Sequence, residues 1–282
     1  MRRIPFVTAA AIVVAALGAY PGCSGQNHQV VVASPPSNET SVEVGRGPLD
    51  QVDHSPWDRL LKKYVDKDGM VDYATWKASK ADRAALKQYL ATLSAADPEA
   101  ETTKEGKLAF WINAYNALTV HGILEVYPTD SIRNHTAAVF GYNIWKDLLL
   151  PVGSEKYSLS DIEHEILRKL EEPRIHVAIV CASIGCPRLL NEAYTPKKLE
   201  TQLADNTRDF FGRKKNFQVD VARRSVRVSS ILDWFGEDFG PSPQKALASL
   251  AQYIPDEPTR DLIASEDFSV SYLDYDWSLN EQ

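Results

Sequence analysis

The stretch from Lys107 to Val126, KLAFWINAYNALTVHGILEV, constrains the fold more than any other part of the chain, because apolar residues occupy nearly every side of its helical projection. A helix that lies at a surface keeps one polar face, whereas a helix that is apolar all round must be covered on all sides. Pro128 ends the pattern, since proline lacks the backbone N–H that a helix interior requires. The stretch therefore predicts a buried central helix around which the rest of the domain packs.

Shorter helices and strands are predicted around this helix. Helical patterns cover residues 57–64, 75–93, 160–170, 196–211, 242–253 and 258–264, and strand patterns cover 70–73, 142–150, 156–159, 174–181, 217–221, 225–229 and 268–275. Helices come first and strands are then interspersed with helices and a hairpin, which predicts an α+β fold with several helices around a mostly antiparallel sheet.

Two local patterns make sharper predictions. The run from Arg174 to Cys181 is continuously apolar rather than alternating, which predicts a central strand covered on both faces. Ser160 and Glu163 are spaced to form a capping box, with Ser160 as N-cap, at the start of a helix. On this interpretation Glu163 serves only the local helix end.

The first residues have the composition of a leader. Arg2 and Arg3 precede an apolar run over residues 6–17, which is too short to span a bilayer comfortably and is typical of a signal peptide. Gly22 and Cys23 resemble a bacterial lipoprotein cleavage box, so we predict cleavage there and a lipid on Cys23. Simple secretion and an uncleaved anchor are the alternatives. All three export the domain, and the first places it on the periplasmic face of a membrane.

The domain organisation follows from this interpretation. Residues 1–23 are predicted to be the signal peptide. Residues 24–53, rich in Ser, Asn, Pro and Gly, are predicted to be a flexible tether. Residues 54–282 then form a single globular domain of ordinary composition.

Charge and motifs exclude several classes of function. The chain has 31 Lys and Arg against 38 Asp and Glu, a formal charge of −7, and no basic stripe, so we expect no binding to nucleic acid and membrane attachment only through lipid on Cys23. Walker, GxGxxG, HExxH and GxSxG motifs are missing from the sequence, which disfavours nucleotide-dependent enzymes, zinc proteases of that type and ordinary esterases. We predict no cofactor and no metal. We expect the partner to be a small molecule or an envelope protein, which the sequence does not identify.

Polar residues interrupt the apolar central helix at Asn113, Asn116 and His121. Buried amides and imidazoles cost a few kcal/mol unless they are hydrogen-bonded, so they either fix neighbouring loops or orient catalytic groups. His164 follows the predicted capping box and is either a surface residue or a residue facing whatever packs over that helix end.

The segment from His176 to Pro187, HVAIVCASIGCP, is the most specific candidate site. A buried strand would end here in a loop of small residues that carries Cys181, Ser183 and Cys186. If Pro187 begins a helical turn, Cys186 lies at its N-cap, where the exposed N–H groups favour a thiolate nucleophile. Cys181, at the strand end, is expected to be buried. His176 would face the other side of the sheet, so His121 or His164 is expected to be the base.

Other interpretations of the two cysteines stay open. In an oxidising compartment Cys181 and Cys186 could close a small disulfide loop, or they could be unreactive free thiols. A zinc site could use His121, His164 and a cysteine, but the C-x-x-C and H-x-x-x-H spacings that would support one are missing from the sequence.

Five segments together resemble the domain-of-unknown-function 547 family, over about Pro56 to Asn280. They are FWINAYNAL (110–118), YSLSDIEHEILR (157–168), RIHVAIVCASIGCP (174–187), ILDWFGEDFG (231–240) and YDWSLN (275–280). The activity of this family is uncharacterised, so the resemblance implies boundaries but no reaction. It implies that the family's motif positions are occupied by Asn113, Asn116, His121, His164, Arg174, His176, Cys181, Ser183 and Cys186. Plant-like members can carry Ser at the position of Cys186, which argues against an obligatory disulfide or Cys186 nucleophile across the family. In architecture the pattern is at most distantly similar to papain or transglutaminase.

Two hypotheses of function result. The first is a thiol-dependent hydrolase or acyl transferase, with Cys186 or Cys181 as nucleophile, His121 or His164 as base and Asn113 as the orienting residue. The second is a binding or scaffolding module of the cell envelope, in which the same polar residues form a structural network. The sequence favours neither.

Overall fold

The computed structural model describes residues 29–32, 47–137 and 141–282. The predicted signal peptide, the predicted lipid site at Cys23 and most of the predicted tether lie outside the described residues. In the part that is described, no helix is both long and apolar enough to cross a membrane.

Helices predominate in the described part of the chain. The α-helices are α1 (Ser55–Tyr64), α2 (Tyr73–Ala78), α3 (Lys80–Ser94), α4 (Lys104–Val126), α5 (Ile144–Asp147), α6 (Leu159–Asp161), α7 (Leu199–Gly212), α8 (Ile231–Trp234), α9 (Gly236–Phe239), α10 (Pro243–Ser249) and α11 (Glu257–Ala264). The strands are β1 (Val30–Val31), β2 (Leu148–Val152), β3 (Glu155–Ser158), β4 (Phe217–Asp220), β5 (Ser225–Ser229) and β6 (Ser269–Leu273).

The central helix is confirmed as α4, which spans 23 residues and is buried on all sides over most of its length. It starts at Thr103, whose side chain accepts a hydrogen bond from the N–H of Gly106 and so satisfies one of the unpaired donors of the first turn. The larger of two hydrophobic cores packs around α4. The smaller core lies between α7, α10, α11 and the strands β4 to β6.

The α+β class is confirmed, but the strands form two small mixed sheets rather than one mostly antiparallel sheet. In the first sheet β2 pairs antiparallel with β3 and parallel with β1. In the second, β4 and β5 form the predicted antiparallel hairpin, and β6 joins β5 in parallel. The parallel pairing follows from the connection, since α8 to α11 lie between β5 and β6 and act as a crossover. No papain-like arrangement is identified.

The predicted central strand at 174–181 is wrong. The segment forms a 3₁₀ helix over Pro173–Val177 and then continues without regular structure. Its backbone bonds to side chains instead of a neighbouring strand. Asn116 of α4 donates to the carbonyl of Ala178 (3.0 Å) and accepts from the N–H of Val180 (2.9 Å). Continuous hydrophobicity indicated burial correctly, but burial alone does not specify a strand.

The predicted capping box at Ser160 and Glu163 is also wrong. The box is formed two residues earlier, by Ser158 as N-cap and Asp161 as the third helical residue. After α6 the helix widens into a π-helical turn over Ile162–Leu167. Glu163 therefore takes no part in the capping box and lies within this π-helical turn.

Candidate active site

A pocket of about 160 Å³, lined largely by apolar side chains, opens between the two cores. Its walls come from α4, the π-helical turn, the segment after the 3₁₀ helix, α8 and the C-terminal segment. The residues that line it are Tyr115, Trp145, Glu163, His176, Ile179, Cys181, Cys186, Pro187, Ile231, Trp234, Phe235, Tyr275 and Trp277. An apolar pocket with a few convergent polar groups at a junction of two cores is typical of a ligand-binding or active site.

Both predicted cysteines lie in this pocket, and both are free thiols. Their sulfurs are 2.7 Å apart. The hydroxyl of Tyr275 contacts both, at 3.3 Å from Cys181 Sγ and 3.0 Å from Cys186 Sγ. The backbone N–H of Cys181 also points at Cys186 Sγ, at 3.1 Å. The geometry places two thiols and one phenol in direct mutual contact.

The exposure of the two thiols is the reverse of the sequence prediction. Cys181 is half-buried and borders the pocket, whereas Cys186 is only 3% exposed. Pro187 begins no helix, so Cys186 does not lie at a helix N-cap. Ser183 is buried beside them, with its Oγ 3.6 Å from Cys181 Sγ.

The turn that carries the thiols is held by the C-terminal segment. Ile184 donates its N–H to the carbonyl of Ser278, and Gly185 donates to the carbonyl of Asp276, both at 2.8 Å. These bonds place Tyr275 over the sulfurs. The C-terminal YDWSLN motif is therefore part of the site, because it fixes the thiol turn and supplies the phenol.

Gly185 is required for this close approach. A Cβ at this position would lie 2.9 Å from both the backbone N and O of Asp276 and 3.0 Å from the Tyr275 ring, so the C-terminal segment would have to move. We expect Gly185→Ala to lower the free energy of unfolding by about 1–3 kcal/mol, the usual cost of overpacking, and to change the reactivity of the thiols. Urea unfolding and alkylation rates measure the two effects.

Gly212→Ala is the matched control for that substitution. Gly212 is the last residue of α7, and a Cβ there would meet no atom within 4 Å. We expect it to be neutral or slightly stabilising, because alanine favours a helix more than glycine. Equal stability of both variants would show that Gly185 is not a contact point.

The two thiols titrate as a pair, because they share a contact. Burial raises the pKa of Cys186, but hydrogen bonds from the Cys181 thiol and the Tyr275 hydroxyl outweigh burial and bring it down to about 7. The hydrogen bond to Cys186, followed by burial, raises the pKa of Cys181 well above its ordinary value. Burial and the neighbouring sulfurs hold the pKa of Tyr275 far above 10, so its hydroxyl stays protonated. The pair therefore loses its first proton around pH 7, and above that pH it carries one proton and one negative charge.

Glu163 is the acidic residue of the pocket. Burial, followed by the nearby Cys181 sulfur, raises the pKa of its carboxyl group to about 7. Tyr115 of α4 contacts it, with its hydroxyl 3.3 Å from Glu163 Oε2. π-helical turns occur frequently at functional sites, and this one directs a carboxyl group into the pocket. Glu163 is not among the predicted site residues, because its spacing from Ser160 indicates a capping box.

His176 is the histidine that lines the pocket. Its Nε2 lies 2.7 Å from Asp238 Oδ2, and Arg168 holds that carboxylate from the opposite side through two hydrogen bonds of 2.7 Å. The imidazole stacks on Phe235 with 4.2 Å between ring centroids. Burial lowers the pKa of His176 to about 4 despite the carboxylate, so the ring is neutral at pH 7. With no strand at this position, the expected orientation away from the thiols does not apply.

The other two predicted histidines lie outside the lining. His121 is buried on α4, where its nearest charged neighbour is Glu125 at 4.0 Å. His164 is exposed and contacts Arg168 at 3.4 Å. Among the described residues, no histidine nitrogen lies within hydrogen-bonding distance of either sulfur.

The two asparagines of α4 hold backbone segments. Asn113 donates to the carbonyl of Tyr194 at 2.8 Å and accepts from the N–H of the same residue at 3.0 Å. Asn116 does the same for the segment that leads to Cys181. Both amides are fully engaged, so they shape the site through the backbone and do not point into the pocket.

One wall of the pocket is aromatic. Trp277 lies 4.5 Å from Tyr275, 5.8 Å from Trp234 and 6.1 Å from Trp145, measured between ring centroids. Trp234 is 45% exposed, which is unusual for a large apolar side chain. We call these four rings the aromatic wall. The periodicity of the sequence does not indicate this wall, because its rings come from segments that are far apart in the chain.

Metal binding has little support from the geometry. Across the described ranges, no group of three or more His, Cys, Asp or Glu side chains is arranged to hold a metal ion.

Comparison with known proteins gives one match. No curated protein and no solved structure matches the chain. The family model described as "Protein of unknown function, DUF547" matches residues 100–211. That range contains α4, the π-helical turn and the thiol turn, but ends before α8 and the C-terminal segment. The resemblance seen in the motifs is confirmed over residues 100–211, which match a family described only as of unknown function.

Proposed function

We propose that the pocket is the active site of a thiol-dependent acyl transferase or hydrolase, with Cys181 as the nucleophile. One observation carries the proposal. Cys181, a half-buried residue, borders an apolar pocket, and its sulfur lies 2.7 Å from a buried second thiol whose pKa is lowered to about 7. A thiol becomes a strong nucleophile only as a thiolate, and a base in direct contact supplies that form.

Cys186 is the base in this proposal. Above about pH 7 it holds the negative charge of the pair, and it takes the proton of Cys181 across the 2.7 Å contact while Cys181 attacks the acyl carbon. The two events occur together because the raised pKa of Cys181 disfavours a free thiolate on that sulfur. A histidine base is not required, which agrees with the positions of His121 and His164 away from the pocket lining.

Tyr275 is placed to stabilise the negative oxygen that forms when the thiolate adds to a carbonyl group. The N–H groups of residues 181, 184, 185 and 186 already donate within the turn or to the C-terminal segment, so the backbone of these residues offers no free donor. The Tyr275 hydroxyl remains protonated, lies 3.3 Å from Cys181 Sγ, and is released from its hydrogen bond to Cys186 when that sulfur takes up the proton of Cys181. Side-chain hydroxyls of this kind serve as oxyanion donors in acyl transfer.

Glu163 donates a proton in the first half of the reaction and accepts one in the second half. With a pKa of about 7, roughly half of the molecules carry the protonated acid at neutral pH. The acid protonates the leaving group while the acyl group moves to Cys181. The resulting carboxylate then activates water or another acceptor that releases the acyl group.

The aromatic wall favours an apolar acyl group. The hydroxyls of Tyr115 and Tyr275 are already engaged by Glu163 and by the thiols, and His176 Nε2 is engaged by Asp238. Few polar groups remain free to recognise the hydroxyls of a sugar. A volume of about 160 Å³ is close to that of an apolar cavity known to hold benzene, so a single ring fits.

Acyl transfer is tested with para-nitrophenyl esters. We expect a burst of one nitrophenolate per chain and an acyl group on the peptide that contains Cys181. A phenylacetyl ester should acylate roughly tenfold or more faster than the acetyl ester, because burying a ring contributes a few kcal/mol. If iodoacetamide alkylates Cys181 but neither ester acylates it, the proposed reaction is wrong.

A binding module of the cell envelope is the second candidate, and the exposed Trp234 of the aromatic wall favours it. In that case Cys181→Ser should leave the tryptophan fluorescence response to phenylacetamide unchanged, and wild-type protein should show no ester burst. Attachment through a lipid on Cys23 belongs to either candidate and is tested by incorporation of a labelled fatty acid, which Cys23→Ser should abolish.

A further inference from the structure

We propose that Cys181 and Cys186 also carry out thiol–disulfide exchange, reducing a small disulfide in the pocket and becoming an internal disulfide. This activity is separate from acyl transfer and needs only the two sulfurs and the opening above them. Thiol–disulfide exchange is therefore expected even if the acyl-transfer proposal is wrong.

The positions of the sulfurs support this activity. They are 2.7 Å apart, so less than about 1 Å of movement separates them from the ~2.05 Å length of a disulfide bond. Both thiols are free, and they lie on one short turn at residues 181–186. The C-terminal segment fixes that turn through hydrogen bonds to Ile184 and Gly185, which keeps the sulfurs opposed.

Burial gives the two thiols different roles. Both cysteines border the pocket, but Cys181 is half-buried and more accessible to a substrate, whereas Cys186 is only 3% exposed. A more accessible attacking thiol backed by a buried resolving thiol suits two-step exchange through a mixed disulfide.

The reaction balances without a further reactant. The Cys181 thiolate attacks one sulfur of a disulfide R–S–S–R, forms Cys181–S–S–R and releases one thiolate RS⁻. The proton on Cys186 passes to that released thiolate, either directly or through Glu163. The Cys186 thiolate then attacks Cys181 Sγ and releases the second RS⁻. The protein dithiol loses two electrons, and the substrate disulfide gains them as one thiol and one thiolate.

The contact between the sulfurs also predicts whether the mixed disulfide on Cys181 accumulates. A mixed disulfide on Cys181 lies beside a sulfur that is held at contact distance and is readily ionised, so it should be resolved as soon as it forms. Without Cys186 the same adduct has no resolving partner. A matched pair of variants therefore separates the two steps.

The test uses oxidised glutathione and mass spectrometry of the intact, non-reduced protein. Wild-type protein should become lighter by two hydrogens, release two glutathione molecules and show no glutathione adduct. Cys186→Ser should accumulate one glutathione on Cys181. Cys181→Ser should react at least tenfold more slowly than wild type, because the remaining thiol is buried.

Two results would overturn the proposal. One is a stable glutathione adduct on wild-type protein, and the other is exchange by Cys181→Ser at the wild-type rate. The reaction of wild-type protein with oxidised glutathione needs no variant, so its result remains valid even if a substitution impairs folding. Glutathione contains no activated ester, so the outcome is independent of acyl transfer.

Discussion

Changing Cys186 to Ser should slow acylation of Cys181 roughly tenfold at pH 7, whereas changing Cys181 to Ser should abolish the acyl adduct. Without Cys186, no contacting base remains to take the proton of Cys181 during the attack, so the reaction must proceed from the small fraction of free Cys181 thiolate. The burst rate with para-nitrophenyl phenylacetate measures the first effect, and mass spectrometry measures the second.

The asymmetry between these variants separates the nucleophile from the base. Both substitutions replace one sulfur by oxygen in the same turn, so any structural disturbance should be similar. If Cys186→Ser loses the adduct and Cys181→Ser retains it, the buried thiol is the nucleophile and the assignment made from exposure is reversed.

Glu163→Gln should stabilise the protein at pH 8 while lowering turnover. The folded state raises the pKa of Glu163 from 4.5 to about 7, so the folded protein binds this proton more tightly than the unfolded chain does. The resulting stabilisation is complete below pH ~4.5 and is lost as the pH rises through about 7. Above that pH the buried carboxylate is charged, which lowers the free energy of unfolding. Glutamine carries no charge, so we expect it to raise the free energy of unfolding at pH 8 by about 2 kcal/mol.

Turnover should fall roughly a hundredfold or more in the same variant, because an amide can neither donate nor accept the transferred proton. Urea unfolding at pH 5 and pH 8 and steady-state ester hydrolysis measure the two effects. Glu165→Gln is the matched control, since Glu165 lies on the same π-helical turn but is exposed and paired with Lys169. A Glu163→Gln variant that turns over at the wild-type rate would remove Glu163 from the mechanism.

The buried histidines make the stability of the protein depend on pH in the opposite direction from Glu163. Burial lowers the pKa of His54, His121 and His176 to about 4 each. Their contribution to stability is present above pH ~6.5 and is lost as the pH falls towards 4. The comparison of Glu163→Gln with wild type at each pH cancels this shared trend and isolates the carboxyl group.

The parts of this fold that the sequence predicts are those encoded locally. The central helix is specified by its own apolar residues, and the hairpin of β4 and β5 by the alternation of its strands. The thiol turn stood out because two thiols and a hydroxyl occur within six residues. These features depend on the local sequence and not on how distant segments pack.

The remaining features of the site depend on contacts between distant segments. Tyr275 reaches the sulfurs from a segment about ninety residues later in the chain. Glu163 enters the pocket only because the capping box forms at Ser158 and the following turn widens. The segment at 174–181 is not a strand because Asn116 binds its backbone. None of these three outcomes has a signal in the periodicity of the sequence.

The rate of iodoacetamide alkylation as a function of pH, resolved by peptide in wild-type protein, shows whether the two thiols ionise as one pair at the pocket. If the two sulfurs share one proton at the pocket wall, Cys181 is alkylated first, without prior reduction, and its rate rises with a midpoint near pH 7. A midpoint near the ordinary thiol value of ~8.5, or alkylation of Cys186 before Cys181, would show that Cys181 is not the nucleophile of such a pair.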